Sequence, residues 1–196
     1  MGRPLSDQSL DQLFRSARSF NRYTEQPVTL ETLQALYDLY KWGPTSTNQQ
    51  PQRIVWCTTD DAKVRLAKLC YEGNGDKIRL APVTAILGME MNFIETLPKL
   101  FPHTDARGWY GTDERFIADS ALRNASLQAG YLMIAARALG LDVGPIGGFD
   151  EKAVTAEFFP ASTIKANFLV TLGYGDLESV YSRAPRWEFN EATRLA

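Results

Sequence analysis

Alternating helical and strand-like segments predict mixed α and β layers built around one sheet. Two observations carry that expectation. Runs rich in β-branched and aromatic residues, at 54–59 and 167–172, sit between segments of helical periodicity. The longest periodic segment, 112–139, is apolar on most faces, which marks a helix wrapped by others or packed against a second subunit. The 196 residues suit a single domain over 1–196, and 44% hydrophobic against 22% charged residues is an ordinary globular balance. A chain of this size buries roughly 70% of its unfolded surface, enough for a sizeable core.

In chain order, Ser9 is a candidate N-cap for a first helix over 9–18, with Leu10, Leu13, Phe14 and Ala17 at helical spacing. Thr29 caps a second helix that carries Leu30, Leu33, Tyr37 and Tyr40 on one face and stops at Gly43-Pro44. A polar loop then leads to the strand at 54–59. Asp60 and Asp61 open a helix to about Cys70, a Gly-Asn-Gly-Asp turn follows, and Val83 to Leu87 is a short strand of the buried type. Residues 92–101 read as helical up to Pro98, and 102–112 as a loop with His103, Arg107, Trp109 and Tyr110. Gly140 closes the long helix. A short run near Val143, the loop Gly144-Pro145-Ile146-Gly147-Gly148, a helix between Asp150 and Pro160, the strand at 167–172 and a tail from 174 complete the chain.

Several function classes fall away. A net charge of −2 offers no basic surplus, so neither nucleic acid nor an anionic membrane is an expected partner. Apolar stretches are too short to span a bilayer, and the N-terminus lacks the apolar core of a signal peptide, so a cytoplasmic location is expected. One histidine and two cysteines cannot furnish a zinc site of repeated Cys and His, and no metal is expected. Cys57 and Cys70 read as buried fillers, and Cys–His hydrolysis would have to run through His103. Neither GxGxxG nor GxxxxGK[ST] occurs, so a redox enzyme of this length would lack a Rossmann domain.

Short polar clusters remain, each open to two readings. Arg18-Ser19-Phe20-Asn21 pairs a guanidinium with a hydroxyl, suited to a phosphate or simply to a solvated helix end. Pro44-Thr45-Ser46-Thr47-Asn48 suits the polar rim of a planar heterocycle, or a self-bonded turn. Asn74 and Lys77 could stabilise negative charge on a carbonyl, or decorate a surface turn. The glycines around Pro145 and Ile146 would let backbone approach a ligand, or form a plain connection. Arg183 and Arg186 could close over a phosphate, or belong to a solvated tail.

Taken together, these segments resemble the FMN-dependent nitroreductase superfamily over about residues 10–195. The resemblance is carried by Lys41-Trp42-Gly43-Pro44-Thr45-Ser46-Thr47-Asn48, Leu97-Pro98-Lys99-Leu100-Phe101-Pro102-His103, Gly140-Leu141-Asp142-Val143-Gly144-Pro145, Gly147-Gly148-Phe149-Asp150 and Gly173-Tyr174-Gly175-Asp176. It is nearest to the short branch that contains malonic semialdehyde reductases. It implies an α+β fold with a central, mainly antiparallel sheet flanked by helices, and a homodimer with FMN at the interface, for which 112–139 is the core and dimer helix. Arg18, Ser19, Arg183 and Arg186 match phosphate-binding positions. Asn21, Asn74 and Lys77 match positions beside the isoalloxazine. Pro145, Ile146, Gly147 and Gly148 match the loop beside the flavin, and Pro44, Thr45, Ser46 and Asn48 match the segment offered by the partner subunit. Ala17 and Asn21 stand where many relatives carry basic residues, and Gly147 where some carry Glu near flavin N5.

The activity this implies is FMN-dependent oxidation of NADH or NADPH, with ping-pong hydride transfer through flavin N5 and no catalytic residue of the protein's own. The branch implies malonic semialdehyde as the small-molecule oxidant, reduced to 3-hydroxypropionate. Arg107, with Trp109 and Tyr110 in the same loop, is the candidate cation for its carboxylate. A broad nitro- or quinone reductase and a flavin-binding module without turnover are the alternatives.

Overall fold

The computed structural model describes residues 2–196. Strands β1 (Gln52–Cys57), β2 (Val83–Glu90), β3 (Asp142–Ile146) and β4 (Ile164–Gly173) form one sheet in the order β1-β2-β4-β3. Every neighbouring pair is antiparallel, which agrees with the expected α+β architecture. Side chains alternate across the pleat. Val83, Ala85 and Leu87 of β2 join Val170 and Leu172 of β4 under helices α2 (Leu30–Tyr40) and α6 (Glu114–Ala138). Ile86 and Leu169 point the other way, against α3 (Asp60–Ala67), α4 (Asn74–Leu80) and α7 (Glu151–Phe158). Covering both faces explains why β2 reads as an unbroken apolar run rather than an alternating one. The short α1 (Asp7–Leu10), α5 (Leu97–Leu100) and α8 (Phe189–Ala192) lie outside these layers in sequence.

Caps fix the helix starts. Thr29 accepts from the Thr32 N–H and opens α2, and Asp150 accepts from the Ala153 N–H and opens α7, both as expected. Asp113 accepts from the N–H groups of Arg115 and Phe116 and starts the 25-residue α6. Ala129, Leu132 and Ala136 of α6 are buried against the sheet layer, where small side chains permit close approach, while Ala121 packs with Phe93, Leu97 and Tyr110. Within one chain, however, α6 is not buried all round. Leu127, Tyr131 and Ile134 are 44%, 42% and 37% exposed and share one helical stripe.

Several local expectations are corrected. The first helix is capped by Ser6, whose hydroxyl accepts from the Ser9 N–H, and after α1 it continues as a π-helical turn over Asp11–Arg15. Arg18 and Ser19 therefore lie beyond the helix. The buried stripe of α2 is Leu33, Leu36 and Tyr40, while Leu30 and Tyr37 are exposed. Asn74 to Lys77 form the start of α4 rather than a turn, because Gly73 at φ +81 supplies the left-handed residue that precedes it. Pro98 sits in the first turn of α5, where its missing N–H costs nothing, so it opens that helix instead of ending one. Gly144-Pro145-Ile146 is strand, not loop. β3 is an edge strand, and only there is a proline tolerated in a sheet.

The free edge of β3 holds a strap formed by residues 17–24. Ser19 bridges Val143 in parallel, and the Phe20 N–H donates to the Val143 carbonyl at 3.0 Å. Tyr23 bridges Gly175, and its hydroxyl lies 3.1 Å from the Thr171 carbonyl and 2.7 Å from its Oγ1. A Cβ at Gly144 would stand 2.4 Å from the Phe20 carbonyl oxygen and 2.6 Å from Thr171 Oγ1. Neither the strap backbone nor β4 can give way cheaply. Gly144→Ala is expected to lower stability by about 1–3 kcal/mol or more, seen as a reduced midpoint in urea unfolding; an unchanged midpoint would show that the strap is not locked to β3.

Candidate functional site

The strap, the C-terminal end of α6 and the segment 181–186 enclose a cleft of about 550 Å³ lined by Arg18, Ser19, Arg137, Arg183 and Arg186, with Arg15 at its side. The chain folds back on itself to build it. Arg183 Nη2 donates to the carbonyls of Arg15 at 2.8 Å and Ala17 at 3.0 Å, and Arg18 Nη2 donates to the Tyr181 carbonyl. Arg186 Nη1 donates to the carbonyls of Ala184 and Pro185 at 3.1 and 3.0 Å. Arg15 is occupied by carboxylates, Asp7 at 2.8 Å and Asp11 at 2.6 Å. The other guanidiniums are bonded only to neutral carbonyls among the described residues, so their positive charge is uncompensated by hydrogen-bonded acids. Such a cluster binds anions, and guanidinium forks select phosphate or carboxylate.

Arg137 escaped the sequence reading. Its Nη1 donates to the Leu13 carbonyl at 3.1 Å, while its Nε is buried without a partner. Burial lowers its pKa, and the nearby Asp142 carboxylate opposes that shift. Asp142 is in turn pushed up by burial, and its Oδ2 accepts from the Gly175 N–H at 2.9 Å. The available signal was a basic residue in the last turn of a long helix, where the macrodipole favours a cation. Periodicity marked the helix as apolar but not which neighbour this one residue would face.

A second cleft, of about 420 Å³, adjoins the first through Tyr181 and is lined by Asn21, Lys77, Gly73 and Ser179 among others. Asn21 Nδ2 reaches the Ser179 carbonyl at 3.4 Å. Lys77 lies one turn after Asn74 on α4, so both project on one side of that helix. Asn74 Nδ2 donates to the Gly148 carbonyl at 3.1 Å, and a Cβ at Gly148 would meet that nitrogen at 2.5 Å. Gly148 is thus required by the closeness of the amide, whereas a Cβ at Gly147 would meet nothing within 4 Å. Pro145 and Ile146 end β3 just before this contact. The structure therefore brings Arg18, Ser19, Arg183 and Arg186 to one cleft, Asn21 and Lys77 to its neighbour, and links Asn74 to Gly148.

The segment 44–48 lies elsewhere. The Ser46 N–H donates to Asn124 Oδ1 at 2.8 Å, and Asn48 Nδ2 donates to the Leu100 carbonyl at 2.8 Å. Thr47 and Asn48 both adopt φ +49, and Thr45 Oγ1 accepts from the Gln50 N–H at 3.1 Å. A Cβ at Gly43 would strike the Tyr131 ring at 2.6 Å, so Pro44 enters this turn hard against α6. Asn124 and Arg137 are thirteen residues apart on α6, about 20 Å at the helical rise.

Arg107 is held by Asp105 through both Nε (2.9 Å) and Nη2 (2.8 Å), and this fork lowers the Asp105 pKa to about 2. Both side chains of this pair are largely exposed. Tyr110 is buried, with its hydroxyl 2.6 Å from Thr47 Oγ1 and its ring edge-on to Phe93, so it packs the interior rather than an open loop. Trp109 is exposed and touches Phe101, as does His103. Among the described residues no helix is long and apolar enough to cross a membrane.

Comparison with known proteins fits this geometry. The Nitroreductase family matches residues 14–174. A protein of Stenotrophomonas maltophilia named "Putative NADH dehydrogenase/NAD(P)H nitroreductase" is 52% identical over 196 residues, covering 100% of both chains. Among solved structures, a nitroreductase-family protein of Bacillus subtilis, ydfN, superposes with a TM-score of 0.85 at 23% identity, over 97% of this chain and 100% of that one. A nitroreductase of Exiguobacterium sibiricum, solved in complex with FMN, gives 0.85 at 19% identity over 100% of both. The chain belongs to the nitroreductase family.

Proposed function

We propose that this protein, acting as one domain over 1–196, is an FMN-dependent NAD(P)H oxidoreductase that works as a cytoplasmic homodimer. The observation that carries this reading is the convergence of Arg18, Ser19, Arg137, Arg183 and Arg186 on one cleft, joined to a second cleft holding Asn21 and Lys77. A phosphate fits the first, because Arg18, Arg137, Arg183 and Arg186 line it with guanidiniums bonded only to neutral carbonyls among the described residues. A flat heterocycle with carbonyl and N–H edges fits the second, where Lys77 offers a cation and Asn21 an amide. Names carrying NAD(P)H among relatives about half identical to this chain, and FMN in a neighbour of the same fold, support the assignment.

Bound there, FMN would supply the redox chemistry, taking hydride from NADH or NADPH and returning it to an oxidant in separate half-reactions. The protein's own residues bind and orient. Arg18, Ser19, Arg183 and Arg186 would hold the phosphate, and Asn74 would fix the Gly147–Gly148 backbone beside the ring. Lys77 would stabilise negative charge on the pyrimidine side, alone where relatives add a second cation. Malonic semialdehyde is the oxidant we favour, with quinones and nitroaromatics as the alternative.

The dimer follows from α6. Leu127, Tyr131 and Ile134 leave an exposed apolar stripe that a second copy would cover. The segment Pro44–Asn48, anchored about 20 Å along α6 from Arg137, is better placed to serve the cleft of a second copy than its own.

Replacing Arg18 and Arg186 together with Ala should weaken FMN binding by about a hundredfold or more, since each charge-assisted bond is worth about 1.5–3 kcal/mol. The melting temperature should move little, because Arg186 is exposed and Arg18 only half-buried. Flavin retained through gel filtration would contradict the phosphate assignment. Leu127→Glu with Ile134→Glu should give a folded monomer by light scattering that has lost its flavin absorbance. A monomer that keeps FMN would show that one chain suffices for the site.

A further inference from the structure

Three of the four residues 47–50 hold backbone that L side chains disfavour. Thr47 and Asn48 lie at φ +49 and Gln50 at φ +39. For a β-branched threonine this region is a genuine outlier. Such strain persists only where surrounding contacts impose it, and it gathers at functional sites.

The contacts that impose it here form a closed ring of hydrogen bonds. Gln49, fully buried, donates through Nε2 to Tyr110 Oη at 3.3 Å and to Ser120 Oγ at 3.1 Å. Thr47 Oγ1 donates to the Ser46 carbonyl at 2.7 Å, so the tyrosine is the donor in its 2.6 Å contact with Thr47. The Ser46 N–H donates to Asn124 Oδ1, and Asn124 Nδ2 donates to the Ser120 carbonyl at 2.9 Å, which closes the ring. Tyr110, Ser120 and Asn124 are buried as well. The ring joins the segment 44–50 to the loop at Tyr110 and to α6, and Gln49 is the side chain of the segment that bonds to both. In a buried site each of these bonds is costly to lose, because its partner is left unsatisfied.

What the ring leaves outside is specific. Pro44, Ser46 and Asn48 are exposed. The Asn48 amide is already used, Nδ2 on the Leu100 carbonyl and Oδ1 on Gln50 Nε2, each at 2.8 Å. The Ser46 hydroxyl has no hydrogen-bond partner among the described residues, although its backbone N–H is fixed. We propose that Gln49 is a positioning residue, which locks this turn so that the Ser46 hydroxyl is presented to the flavin cleft of a second copy. Gln49 touches no ligand itself and acts through Tyr110 and Thr47. The inference rests on the dimer reading given above.

Fluorescence titration of the flavin-stripped protein with FMN tests it. Gln49→Met keeps the volume of the side chain and removes its donor. It should give a folded dimer that binds FMN roughly tenfold more weakly, the order expected for one lost polar contact. Tyr110→Phe, which removes only the hydroxyl, should do the same. The double variant should bind no more weakly than the worse single, since both act through one ring. Mixed dimers, isolated through two affinity tags, then locate the defect. One copy carries Gln49→Met and the other carries Arg18→Ala with Arg186→Ala. Both defects should fall on the cleft of the arginine-deficient copy, leaving one FMN per dimer bound as in wild type. Two weakened clefts would show that the turn serves its own chain and would overturn the proposal. So would affinity within twofold of wild type in both single variants, or fully additive losses in the double. FMN retained by the arginine-deficient homodimer would instead contradict the phosphate assignment, and that result is read on a protein in which Gln49 is intact.

Discussion

The structure depends on the pinning of the strap 17–24 to the free edge of β3. Hydrogen bonds from Phe20 to Val143 and from Thr24 to Tyr174, with Asp176 returning to Arg22, hold its backbone at both ends. Phe20 is the apolar anchor, buried to 4% exposure, and a Cβ at Gly175 would overlap its ring at 2.3 Å. With Phe20 fixed inward, Ser19 and Asn21 on either side of it take the opposite side of the strap, and Arg18 at its start reaches the Tyr181 carbonyl. One constraint thus protects an open sheet edge and delivers the polar groups on which the proposed function rests.

Helix α6 supplies the second organising element. Its alanine-lined face seats it on the sheet, and its length separates two sets of polar contacts. Asn124 secures the turn at 44–48, and Gln128 Oε1 accepts from the Gln52 N–H at 2.9 Å at the head of β1. Arg137, at the far end, projects into the guanidinium cluster. Gathering like charges there is costly unless an anion is bound. The interleaved carbonyls of Arg15, Ala17 and Tyr181 offset part of that repulsion while leaving Arg137 Nε unmet.

Much of this was legible in the residues. The caps at Thr29 and Asp150 and the strands near 54–59 and 167–172 followed from local rules that tertiary packing did not override. The resemblance matches Arg18, Ser19, Arg183 and Arg186 to phosphate-binding positions, and in the fold these four line one cleft while Lys77 lines its neighbour. Other features depended on neighbours that sequence does not reveal. Pro145 reads as a loop residue until β3 is known to be an edge strand. Gly73 to Lys77 reads as a turn because the same glycine that breaks a helix can also precede one. Arg107 looked free because the bidentate grip of Asp105, two residues away, is a matter of side-chain geometry. Arg137 donates to the Leu13 carbonyl, 124 residues away in sequence, and no periodicity encodes that meeting.

The central claim is that the arginine cleft reads a phosphate. Its most direct test compares the affinity of the flavin-stripped protein for FMN with that for riboflavin, which keeps the isoalloxazine and lacks the phosphate. With several charge-assisted bonds at stake, FMN should bind about a hundredfold or more tighter than riboflavin, and the gap should narrow as salt rises. Equal affinities, independent of salt, would contradict the account.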